Sequence, residues 1–125
     1  MKRVPSEIKL LQTSRVLQIS FDDQTFKLPC EYLRVHSPSA EVQGHGPGQE
    51  VLQKGKEGVN IVAIEPVGHY AVRLIFDDGH NSGLYAWEYL YDLGINRQQR
   101  WQKYLARLAQ AEHLRVSQDS DHYLA

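Results

Sequence analysis

Strands first and helices last, with no alternation of strand and helix, predict an α+β fold. The expected architecture is a pair of antiparallel β meanders forming a sheet covered by helices on one face, with a long C-terminal helix. Three stretches carry this reading. The run Arg15–Phe21 alternates with period 2. Tyr70–Phe76 alternates likewise and ends in the turn Asp77-Asp78-Gly79-His80. Trp101, Tyr104, Leu105 and Leu108 recur at helical spacing.

The totals fit a folded chain. Its 125 residues predict a single domain over 1–116 with a frayed, disordered tail over 117–125. A formal net charge of −1 argues against a nucleic-acid or membrane-surface binder, which needs an excess of Lys and Arg. A lone cysteine, Cys30, excludes an intramolecular disulfide and a self-contained cysteine metal site. Met1-Lys2-Arg3-Val4-Pro5 leads into no apolar run, and no segment approaches the roughly 20 apolar residues of a membrane span. A soluble, cytoplasmic protein is expected.

In chain order, Ile8–Gln12 and Arg15–Phe21 read as strands joined by Thr13-Ser14, with Leu17, Ile19 and Phe21 on the buried face. Thr25–Leu28 returns as a third strand. Pro29 opens a short helix over Cys30–Val35, since its missing N–H costs nothing in a first turn. Pro38 ends that helix by pushing Ser37 out of helical angles. Residues 40–58 are broken by Gly44, Gly46, Pro47, Gly48, Gly55 and Gly58 and are expected as a long loop. Val59–Val67 resumes strand character, with Pro66 marking a sheet edge. Gly68-His69 turns the chain into Tyr70–Phe76, with Tyr70, Val72, Leu74 and Phe76 on one side. Trp87, Leu90 and Tyr91 then mark a helix with Gly94 as its C′ glycine. Asn96 and Gln99 form a capping-box pattern for the last helix. There Arg97, Arg100, Lys103, Arg107 and Arg115 decorate the faces away from an apolar stripe continued by Leu114.

The histidines at 36, 45, 69, 80, 113 and 122 show no His-Glu-x-x-His spacing and no His-x-Asp step, and no serine stands in a Gly-x-Ser-x-Gly elbow. The sequence shows no nucleophile–base pair, so an enzyme ranks last. The turn Asp77–His80 has two readings. One is a solvated Asp-Gly turn with Asp77 capping a nearby N–H. The other is a hydrogen-bonding or metal-ligating corner held against Trp87. Cys30 reads as a small buried apolar residue.

The run Leu28-Pro29-Cys30-Glu31-Tyr32-Leu33-Arg34-Val35-His36-Ser37-Pro38-Ser39-Ala40-Glu41, followed by Phe76–His80 and Tyr85–Leu90, resembles the gamma-butyrobetaine-hydroxylase-like N-terminal domain family, DUF971, over about residues 8 to 94. Such domains stand alone in bacteria, precede the oxygenase domain of carnitine-pathway dioxygenases, and accompany iron–sulfur scaffold P-loop ATPases of the Mrp type. In the dioxygenases the domain holds a structural zinc through three cysteines and the histidine of Asp-Gly-His. On this chain the resemblance places that histidine at His80 and the three cysteine positions at Ser37, Ser39 and Val42. It therefore implies a zinc-free version, with no cofactor and with His80 left as a relic or reused for hydrogen bonding. The oxygenase domain has no counterpart here.

The expected function is a non-catalytic accessory domain that acts through a protein partner. The fusions imply an iron–sulfur scaffold ATPase as a candidate and iron–sulfur cluster assembly as the setting. The expected surface joins Arg34, His36, His45, Asp77, Asp78 and His80 with the 40–58 loop. The alternative is a zinc- or iron-binding domain using His36, His45 and His80.

Overall fold

The first alternating runs fold back on one another as an antiparallel meander. The computed structural model describes the backbone of residues 3–124 and the side chains of residues 3–111. Strands β1 (Glu7–Leu11), β2 (Val16–Ser20) and β3 (Thr25–Pro29) lie in the order β1-β2-β3. Leu17 and Ile19 are fully buried and pair with Leu28 and Phe26 on β3, also buried. Such same-face apolar pairs stabilise a sheet by roughly 0.2–1 kcal/mol each.

Helix α1 (Cys30–Val35) starts one residue after Pro29, which occupies the N-cap position. Six residues are too few to hold a helix unaided, so docking must supply its stability. Cys30, Tyr32 and Leu33 are buried, and the Tyr32 hydroxyl donates to the Leu93 carbonyl at 2.7 Å. The expected loop over 40–58 is not wholly irregular, because it opens with a further helix, α2 (Ala40–Gln43). Ser39 Oγ caps α2 by accepting from Glu41 N at 3.2 Å, and Gly44 at φ 74° ends it.

The second meander comprises β4 (Ile61–Val67), β5 (Ala71–Phe76) and β6 (Leu84–Ala86), again in chain order. Each meander is hydrogen-bonded within itself, giving two three-stranded antiparallel sheets in an α+β fold. Pro66 lies on the edge strand β4, opposite Val72. Val72, Leu74 and Phe76 face inward, but Tyr70 does not: it is 55% exposed. The strand begins only at Ala71, and the Tyr70 ring folds over Gly68, 2.8 Å from where a Cβ there would sit.

Helix α3 (Trp87–Ile95) buries Leu90 and Leu93, and Tyr91 meets Phe21 and Phe26 edge-on at centroid distances of 5.1 and 5.4 Å. Gly94 is not the left-handed C′ residue its position suggested, since it lies inside α3. A Cβ on Gly94 would come within 2.5 Å of the Phe26 ring, so close packing against β3 is what requires glycine. The chain divides after Ile95 into two compact units. The second carries α4 (Arg97–Leu124), in which Trp101 stacks on the buried Tyr104 while Leu105 is 38% exposed. Leu114, Arg115 and the tail expected over 117–125 fall outside the described side chains. No helix among the described residues is long and apolar enough to cross a membrane.

Candidate functional site

The Asp-Gly turn is built on backbone geometry. Gly79 adopts φ 91°, its N–H donates to the Phe76 carbonyl, and the Phe76 N–H donates to the His80 carbonyl at 3.0 Å. Asp78 Oδ1 accepts from His80 N at 3.1 Å, the local bond by which aspartate favours a turn. Asp77 looks outward to β4 instead, and its Oδ1 accepts from Asn60 N at 3.0 Å. The hairpin is wider than a two-residue loop, because β6 begins only at Leu84. Residues 81–83 carry the chain over Ser37, and a Cβ on Gly83 would clash with the Ser37 hydroxyl.

That crossing creates the centre of the site. His80, 5% exposed, places Nε2 2.8 Å from Ser37 Oγ and Nδ1 3.2 Å from Glu41 Oε2. Ser37 is fully buried and its Oγ also accepts from Ser39 N at 3.2 Å. Ser39 Oγ and Ser82 Oγ are 2.7 Å apart, and Ser82 Oγ donates to Glu41 Oε1. Burial lowers the pKa of His80, as does the Arg34 guanidinium, against the opposing pull of Glu41 and Asp78. The ring is therefore neutral at pH 7. Because a carboxylate only accepts, Nδ1 carries the proton toward Glu41 and Nε2 accepts from Ser37.

Hydroxyl, imidazole and carboxylate thus stand in the order of a hydrolytic triad. The serine end is closed: Ser37 has no exposed surface and Gly83 lies against it, so no substrate carbonyl reaches its hydroxyl. The glutamate end is open, with 69% of the Glu41 side chain exposed. The arrangement is a structural pillar with one polar end at the surface.

Beside it lies a partly buried ion pair. Arg34, 7% exposed, donates through Nε to Asp78 Oδ2 at 2.8 Å, and Lys56 Nζ meets the same oxygen at 2.7 Å. Burial alone would raise the Asp78 carboxyl. Hydrogen bonds from Lys56, the His80 amide and Arg34 outweigh it and bring the pKa to about 2. Arg34 Nη1 also donates to Gln53 Oε1 at 3.0 Å, and Val51 N donates to the Val42 carbonyl at 2.8 Å. The glycine-rich segment after α2 is thereby fastened to α1 and to the turn.

The remaining candidates disperse. His36 Nδ1 lies 2.9 Å from the Tyr32 carbonyl, its ring sits against Tyr32, and His45 is exposed on the loop. Among the described residues no group of three or more His, Cys, Asp or Glu is placed to hold a metal ion. The expected corner against Trp87 is not formed either. Trp87 is tied to the opposite end of β5, its Nε1 donating to the His69 carbonyl at 2.8 Å. Cys30 is fully buried, its Sγ 3.7 Å from Asn60 Oδ1, and burial raises its thiol pKa.

Of the positions to which the resemblance assigned zinc cysteines, Ser37 meets His80 directly and Ser39 is bonded to Ser37, but their chemistry does not suit zinc. The Ser37 hydroxyl is engaged with the Ser39 amide and His80, the Ser39 hydroxyl with the Glu41 amide and Ser82, and the buried Val42 has no donor. A closed zinc site needs four N, S or carboxylate ligands. Sequence reasoning named His80 and placed Ser37 only by resemblance, and it missed Glu41 and Ser82 as its neighbours. Pro38-Ser39-Ala40-Glu41, an N-cap signature, was the one local signal that would have turned Glu41 toward the site.

A small α+β domain with its buried polar residues gathered in one hydrogen-bonded corner is the class that fold and site define. The family described as gamma-butyrobetaine hydroxylase-like, N-terminal, matches residues 8–91, and the chain belongs to it. The chain is similar to an NMR solution structure at 52% identity and TM-score 0.79, over 90% of this chain and 89% of the other. A second NMR solution structure is 55% identical with TM-score 0.76, over 89% and 83%. A crystal structure from Acidithiobacillus ferrooxidans, of a DUF971 protein with unknown function, is 44% identical with TM-score 0.61, over 72% and 91%. A search of curated proteins gives no match.

Proposed function

We propose that this chain is a non-catalytic accessory domain that works by binding a protein partner. The observation that carries the reading is the one-ended character of the Ser37–His80–Glu41 pillar. Its nucleophile is sealed by Gly83, so catalysis has no entrance, while Glu41, Ser82 and the adjoining loop residues His45 and Val51 are exposed. A surface of mixed polarity on a well-fastened loop is a common form of recognition site. The recognition surface comprises the exposed rim of the Asp77–His80 turn, Glu41 and the loop through Val51.

The resemblance to domains fused with iron–sulfur scaffold ATPases supports iron–sulfur cluster assembly as the setting and such an ATPase as the partner. Calorimetric titration of the purified chain into a P-loop iron–sulfur scaffold ATPase tests both. Binding weakened by His45→Ala with Val51→Asp supports the reading. The absence of heat with either protein in excess removes the iron–sulfur setting.

A further inference from the structure

We infer that Arg34 and Lys56 form a covered binding corner for a carboxylate of the protein partner, with Gln53 standing in for that carboxylate in the free chain. The inference rests on the partner-binding reading above and names the chemistry of what is bound. Arg34 Nε and Lys56 Nζ converge on one oxygen of Asp78, at 2.8 and 2.7 Å. Among the described residues no second carboxylate lies within ion-pair distance of either cation, so the corner keeps one positive charge in excess. Glu41, the nearest other acid in the cluster, is engaged at the far side of the His80 ring.

Gln53 occupies the other face of the guanidinium, its neutral amide oxygen 3.0 Å from Arg34 Nη1. The guanidinium supplies the only charge in that bond; a carboxylate oxygen in the same place would add the opposite charge and turn the contact into an ion pair. Gln53 sits on a segment whose turns are set by Gly44, Gly48 and Gly55 at positive φ, and its own amide folds back to the Val51 carbonyl at 2.9 Å. Swinging its side chain away gives up the bond to Arg34 and the bond to the Val51 carbonyl, and uncovers the guanidinium. Asp78 holds that group in place meanwhile.

The test is an NMR titration of the full chain with an N-acetylated, C-amidated tetraglutamate peptide at low ionic strength. Wild type is expected to bind weakly, with amide shifts centred on Arg34, Gln53 and Asp78 and affinity falling as salt is added. Gln53→Ala removes the stand-in and should tighten binding about fivefold, the factor equivalent to a net hydrogen-bond contribution of about 1 kcal/mol. Lys56→Gln should weaken it by a similar factor. Binding unchanged in Gln53→Ala, shifts centred elsewhere, or tighter binding of inorganic phosphate at the same amides would overturn the carboxylate corner. A scaffold ATPase that binds equally well to wild type and to both variants would overturn it too, while leaving the partner-binding reading standing.

Discussion

The imidazole of His80 and the hydroxyl of Ser37 meet at 2.8 Å although 43 residues separate them. The bond joins the end of α1 to the β5–β6 connection and organises the polar corner. Both partners are buried, so removing one strands the other. Ser37→Ala leaves His80 Nε2 and Ser39 N short of a partner and should cost about 1–3 kcal/mol, read from urea denaturation. An unchanged midpoint would show that the bond does not support the corner.

Gly83 and Gly94 are fixed by close approach rather than by backbone angle. Alanine at 94 drives a methyl into the Phe26 ring, and alanine at 83 drives one into the Ser37 hydroxyl. Each should destabilise by about 1–3 kcal/mol, the usual range for overpacking. In Gly83→Ala the His80 ring nitrogens should also shift in 15N spectra, which Gly94→Ala should leave alone.

Asp78 predicts an acid limb in stability. Its folded pKa of about 2 lies below the ordinary aspartate value of 3.8, so its contribution is present above the unfolded value and fades as pH falls through the folded one. Melting temperature should decline between about pH 4 and pH 2, and Asp78→Asn should flatten that part of the curve. A variant that loses stability in parallel with wild type across this window would contradict the Arg34–Asp78–Lys56 network.

His80 acts at milder pH with the same sign. Its folded pKa is lowered by burial and by Arg34, so the unfolded chain takes up the proton first as pH falls below the ordinary histidine value. Stability should begin to fall on acidification through that region. The 15N shifts at pH 7 should report a neutral ring protonated at Nδ1; protonation at Nε2 would reverse the assigned direction of the Ser37 bond.

Much of the framework was legible because it is written in short-range pattern. Leu17 and Ile19 alternate with Val16 and Gln18, and the strand followed. Tyr70 broke the same rule because the alternation ran one residue past the strand and into the turn over Gly68. Gly94 looked like a helix stop because its true reason, the Phe26 ring, lies far away in sequence. The site was harder for the same cause. Ser37, Glu41 and His80 converge through packing of α1, α2 and the β5–β6 connection, and no spacing rule links them. Helix α2 escaped because four residues give no periodicity and only Ser39 announces it.

Cys30 should behave as a core residue. Its thiol is buried and its pKa raised, so an aromatic disulfide reagent should label it only as the chain unfolds. Fast labelling of the native chain would place the thiol at the surface and count against the packing of α1.

On the proposed function, the domain recognises a partner through the surface around the open end of the Ser37–His80–Glu41 pillar. Calorimetry of wild type and of the His45→Ala, Val51→Asp variant against an iron–sulfur scaffold ATPase, with thermal melts of both, tests this. Wild type should bind, the variant should lose most of that binding, and the melting temperatures should agree. Equal binding by the two chains would show that the surface is not the recognition site.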